Sequence, residues 1–107
     1  MRYKSSISIS NRTDELFTLH LEPWGEQIPM SPASTFQIIA EAKEPGEMEI
    51  EYGRSDIAVW AWAGSTLKVL SNGKEIGDVQ RRDRPVVPPV PKGMKVSSFL
   101  RLIKGKK

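Results

Sequence analysis

Cysteine is absent from this chain, which removes disulfides, thiolate metal sites and thiol chemistry together. Histidine occurs once, at position 20. Triad, acid–base and zinc chemistry commonly draw on His, on Cys or on carboxylates clustered closely enough to perturb one another. No glycine-rich phosphate loop is present. No stretch approaches the roughly 18 apolar residues that span a bilayer, so no membrane span is expected. Residues 1–14 are polar and lack the apolar core of a secretory leader, which points to a cytoplasmic location. Helical periodicity is nearly missing before residue 95. These absences argue against an enzyme, and no cofactor and no metal site are expected.

What remains is a β pattern. The 107 residues, 38% of them hydrophobic, suffice for one domain with one modest core. Ile7 and Ile9 alternate with serines and stop at Asn11-Arg12-Thr13-Asp14. That stretch matches the glycosylation sequon and is expected to be a turn. Over residues 16–22, Phe17, Leu19 and Leu21 share one face, and Thr18, His20 and Glu22 the other. Pro23-Trp24-Gly25 signals a turn, and Pro29 and Pro32 keep the next piece short and edge-like. Phe36, Ile38 and Ala40 form another apolar face. After Pro45-Gly46, Met48, Ile50 and Tyr52 alternate with Glu47, Glu49 and Glu51, predicting a strand with three apolar residues inward and three acids in water.

Residues 57–62 differ, because both faces are apolar: Ile57, Val59 and Ala61 on one, Ala58, Trp60 and Trp62 on the other. Such a strand is central, or one of its faces binds something. A strand over 66–71 leads into Asn72-Gly73, a strong hairpin signal because both residues tolerate positive φ, and 74–79 is the return strand.

Charge then divides the chain. Residues 78–107 carry nine Lys or Arg against Asp78 and Asp83, a net of +7; residues 1–77 carry seven bases against eleven acids, a net of −4. The basic segment holds Pro85, Pro88, Pro89 and Pro91, which favour an extended conformation over a central strand. Arg82, Arg84, Pro85 and Pro88 fit the basic-x-x-Pro-x-x-Pro pattern that aromatic-lined grooves read. Lys92 and Arg101 extend the basic character, and the apolar residues Val96, Phe99, Leu100, Leu102 and Ile103 could strap onto the domain. The same bases could contact phosphates, with only Phe99 among them to stack on a base.

Three tryptophans offer a further surface. A sugar ring could rest on exposed indoles, with Trp24, flanked by Pro23 and Gly25, the most accessible; a core role is favoured for Trp60 and Trp62. Glu47, Glu49 and Glu51 lie two apart and read as a solvated strand face. With Asp56 they lack the loop spacing of a calcium site.

The block from Ile7 to Ala40, and above all Leu21-Glu22-Pro23-Trp24-Gly25, resembles a group of small uncharacterised bacterial β-domain proteins with the same Leu-Glu-Pro-Trp-Gly core. The resemblance covers residues 7–62. It implies a compact β domain and brings no activity with it. More coarsely, the strand and turn order is similar to immunoglobulin-like and cupredoxin-like sandwiches, though a chain with no Cys and one His does not suit copper.

The sequence therefore predicts an all-β fold: an antiparallel β-sandwich, immunoglobulin-like or a sandwich-like barrel, of six to eight strands over residues 3–79. Residues 1–79 form the β-sandwich domain, and 80–107 a basic Pro-rich C-terminal tail with a short apolar terminal segment. The expected function is non-enzymatic binding of a protein partner, the tail engaging that partner or strapping the domain. The binding residues are Trp24, Arg82, Arg84, Pro85, Pro88, Pro91, Lys92 and Arg101. Nucleic-acid binding through the tail is the second reading, and ligand or carbohydrate binding at exposed tryptophans the third.

Overall fold

The structure is a computed structural model and describes residues 2–77, 85–89 and 96. Eight strands appear in order: β1 (Tyr3–Ser10), β2 (Phe17–Glu22), β3 (Glu26–Met30), β4 (Thr35–Ala42), β5 (Glu49–Tyr52), β6 (Asp56–Trp60), β7 (Ser65–Ser71) and β8 (Lys74–Ile76). They form two four-stranded sheets, ordered β1-β4-β7-β8 and β3-β2-β6-β5. The all-β expectation is met.

Alternation dictates which side chains turn inward. In the first sheet, Ile9 stands opposite Phe36, Ile7 opposite Ile38, and Ile38 and Ala40 opposite Val69 and Leu67. In the second, Leu19 lies between Ile28 and Ile57, and Leu21 beside Val59. These residues from both sheets join in one buried cluster, against which the half-buried Ile7 packs, and Leu19, Leu21, Ile38, Val59 and Val69 are wholly inaccessible. Each such side chain contributes roughly 1.5–3 kcal/mol on leaving water.

One pairing departs from the antiparallel expectation. β2 and β6 run parallel, Thr18 opposite Asp56 and Glu22 opposite Trp60. Period-two alternation specifies which face a residue occupies but is blind to the direction of the neighbouring strand. β6 reaches β2 through β3, β4 and the β5 hairpin rather than by a tight turn from β2, so no local connection imposes antiparallel pairing on the two. The doubly apolar β6 does lie inside its sheet, between β2 and β5.

β5 also departs from its expected pattern. Ile50 is only half-buried, Glu49 and Glu51 are likewise half-buried, and Tyr52 is 77% exposed. An edge strand has cover on one side alone, and Tyr52 ends it where the chain turns at Gly53.

The Asn11-Arg12-Thr13 stretch forms an Asx turn. Thr13 donates its N–H to Asn11 Oδ1 at 3.0 Å, and Asn11 Nδ2 donates to the carbonyls of Glu15 and Met30 at 2.8 and 2.9 Å. With Asn11 only 4% exposed, its amide is engaged in holding the turn against β3.

Candidate interaction site

The turn that leads from β6 into β7 builds a dock. Ser65 N–H donates to the carbonyl of Trp62 at 3.0 Å, closing a β-turn whose third residue, Gly64, has φ +86°. A positive φ at that position suits glycine and little else. Ser65 is fully buried and tightens the turn twice. Its hydroxyl donates to Trp62 O at 2.6 Å and accepts from Trp62 N–H at 2.9 Å.

Val87 sits in that dock. Its N–H donates to Ser65 O at 2.8 Å and its carbonyl accepts from Gly64 N–H at 2.9 Å. The side chain is 2% exposed and belongs to the core cluster. Two residues earlier, the carbonyl of Pro85 accepts the indole N–H of Trp24 at 3.0 Å. The stretch 85–89 is thus tied to the body by three hydrogen bonds and one buried valine, while Pro85, Val86, Pro88 and Pro89 face solvent. Val86 is 57% exposed and, with Arg2, Lys43, Glu44 and Gly64, lines a shallow cleft of about 290 Å³.

Trp24 owes its position to the turn that joins β2 to β3. Glu22–Pro23 is a cis peptide, and Gly25 has φ +73°. Gly25 N–H bonds to Leu21 O at 3.0 Å and to Glu22 Oε1 at 2.9 Å. The Leu-Glu-Pro-Trp-Gly string is therefore a compact turn that aims an indole at Pro85. Trp24 is half-buried, less accessible than its neighbours Pro23 and Gly25 suggest.

The other indoles have structural work. Trp62 donates its Nε1–H to Glu44 O at 3.2 Å and lies against Gly46, where a Cβ would collide with the ring. Trp60 pairs with Glu22 and Glu49 on the outward face of its sheet yet is only 8% exposed. It belongs to the same buried cluster as Val87 and Val96. Its indole Nε1 has no hydrogen-bond partner among the described residues. Trp24 and Trp62 are half-buried and pack against the cluster that contains Trp60.

His20 is half-buried on the same outward face, its Nε2 3.2 Å from Asp56 Oδ2. Register places Glu22, Glu49, Glu51 and Asp56 on this face too, which makes it acidic. Among the described residues, no group of three His, Cys, Asp or Glu could hold a metal ion. No helix of the described residues is long and apolar enough to cross a membrane.

Of the residues expected to bind, Trp24 and Pro85 come together, and Pro88 lies exposed just past the dock. Arg82, Arg84, Pro91, Lys92 and Arg101 lie outside the described residues. Gly64 and Ser65 were not anticipated. A Gly-Ser pair after an apolar run is a recognisable turn signal, but nothing in it foretells that Val87 binds there. Compared with protein-family models, curated proteins and solved structures, the chain matches none.

Proposed function

We propose that this chain is a non-enzymatic protein-interaction module, built on an immunoglobulin-like β-sandwich, that presents its proline segment to a partner. The supporting observation is the seating of Val87. Its two backbone bonds and buried side chain hold 85–89 in one place, and four of the five residues there are turned outward. Prolines have φ preset near −65°, so a segment already anchored loses little further freedom on binding. Aromatic-lined grooves exploit such preformed extended segments. Because Trp24 already occupies the Pro85 carbonyl, the partner reads the outward faces of Pro85, Val86 and Pro88 rather than that acceptor.

Among the described residues the ring of His20 is engaged with Asp56 and with no hydroxyl nucleophile, which fits a non-catalytic role. The acidic outward face of the β3-β2-β6-β5 sheet favours a protein partner over phosphate.

Capture from cell lysate tests this reading, comparing the full chain with a Pro85→Ala/Pro88→Ala variant at low salt and at about 1 M salt, where the Debye length is roughly 3 Å. Retention of one partner at high salt by the full chain, and its loss in the variant, is the expected result. Loss of all capture at high salt, with nucleic acid recovered at low salt, would instead favour phosphate binding by the tail bases.

A further inference from the structure

Among the described residues the two sheets have four edge strands, and three of them are protected against further pairing. β3 has five residues and contains Pro29. β5 has four residues and carries Glu49 and Glu51. β8 has three residues, two of them charged. Short length, proline and charge are the devices by which sheet edges avoid joining other chains. β1 is different. It has eight residues, no proline and a single charge, Lys4. Among the described residues, no backbone hydrogen bond ties Tyr3–Ser10 to anything but β4. Tyr3, Lys4, Ser5, Ser6, Ser8 and Ser10 are all exposed. Alternate residues of an edge strand turn their N–H and C=O groups away from the sheet, so this edge offers an open ladder.

We propose that β1 is an interaction edge and that its occupant is β1 of a second copy of this chain, paired antiparallel about a two-fold axis. The strand's own pattern selects that occupant. A two-fold axis normal to the sheet sets inward positions against inward positions and outward against outward. Centred on Ser6, it places Tyr3 opposite the partner's Ile9, Ser5 opposite the partner's Ile7, and Lys4 opposite the partner's Ser8. Centred on Ile7, it places Lys4 opposite the partner's Ser10. In neither register does a charge meet its like. Tyr3 stands on the inward face, opposite the buried Ala42, yet is 42% exposed, and Ile7 is half-buried on the same face. An aromatic ring beside a β-branched residue on a neighbouring strand is a favourable cross-strand pair. The result is one continuous sheet of eight strands across two copies. A single strand pair buries less than the roughly 1,200–2,000 Å² of a standard interface, so the dimer is expected to dissociate on dilution.

This inference does not rest on the proline segment. The experiment is sedimentation velocity on the full chain over a range of concentrations, with Ser6→Lys/Ser8→Lys and Ser6→Glu/Ser8→Glu variants. Both serines are exposed, so the fold, followed by circular dichroism, is expected to persist. The unsubstituted chain is expected to self-associate as concentration rises, with backbone amides of β1 becoming slower to exchange. The lysine variant sets like charges together in both registers and is expected to stay monomeric. Mixing it with the glutamate variant is expected to restore a dimer. A monomer at every concentration, a lysine variant that dimerises like its parent, or β1 amides whose exchange ignores concentration would each overturn the proposal.

Discussion

On the β1-β4-β7-β8 sheet the outward positions are mostly solvated: Lys4, Ser6, Ser8, Gln37 and Lys68 are exposed, while Ile39 and Leu70 are half-buried. The outward positions of β6 on the other sheet are Asp56 and Ala58, both half-buried, and Trp60, 8% exposed. Both sheets bury their inner faces in the same cluster, yet among the outward strand positions of the described residues Trp60 alone is buried. The first sheet follows the rule of apolar in and polar out except at Ile39 and Leu70. The second breaks it at the strand whose sequence is apolar on both sides, and does so close to where the chain crosses to Ser65 and receives Val87.

Replacing one outward residue on each sheet is the hardest test of this contrast. Trp60→Ala is expected to cost roughly 3–5 kcal/mol in urea unfolding, as large-to-small changes in a core do. Lys68→Ala, outward on β7, is expected to stay within about 0.5 kcal/mol. Similar losses at the two sites would dissolve the distinction. The tryptophan is also expected to fluoresce to the blue and to resist acrylamide.

Val86 and Val87 give the same contrast between adjacent residues. Val87→Ala is expected to lower stability by about 2 kcal/mol, in line with the apolar surface it removes from water. Val86→Ala, at 57% exposure, is expected to be close to neutral. An equal and small effect at both would mean that the segment contributes little to the body.

The smallest change concerns the indole that meets Pro85. Trp24→Phe keeps most of the ring surface and removes one hydrogen bond, so about 0.5–1.5 kcal/mol is expected. Amide exchange at Val87 is expected to quicken at the same time, because the neighbouring tie is gone. A stability change with no effect on that amide would separate Trp24 from the dock.

Much of the architecture is legible in the residues. The serine and isoleucine alternation of β1, the Phe17-Leu19-Leu21 face of β2 and the Asn72-Gly73 hairpin are local patterns, and the strands appear where those patterns lie. Neighbours are not legible, because alternation assigns a face and leaves the partner open. Hence β2 beside β6, running the same way, could not be read from either strand. The exposure of Tyr52 follows from β5 being at an edge, a property of the sheet rather than of residues 49–52. At the candidate site, prolines announce an extended segment and Trp24 announces a turn, but their meeting depends on a dock made by Gly64 and Ser65. Turn residues of that kind show their local geometry and conceal what they receive.

The parallel pair β2–β6 also governs how this chain reaches its native state. Each of its register partners is 38 positions apart, as Leu19 is from Ile57. β1 and β4 are similarly remote at one end, with Tyr3 opposite Ala42. Only the β2–β3, β5–β6 and β7–β8 hairpins form between near neighbours. Long chain segments must therefore be closed before most of the core can be gained, and domains dominated by such distant contacts fold in milliseconds to seconds rather than microseconds.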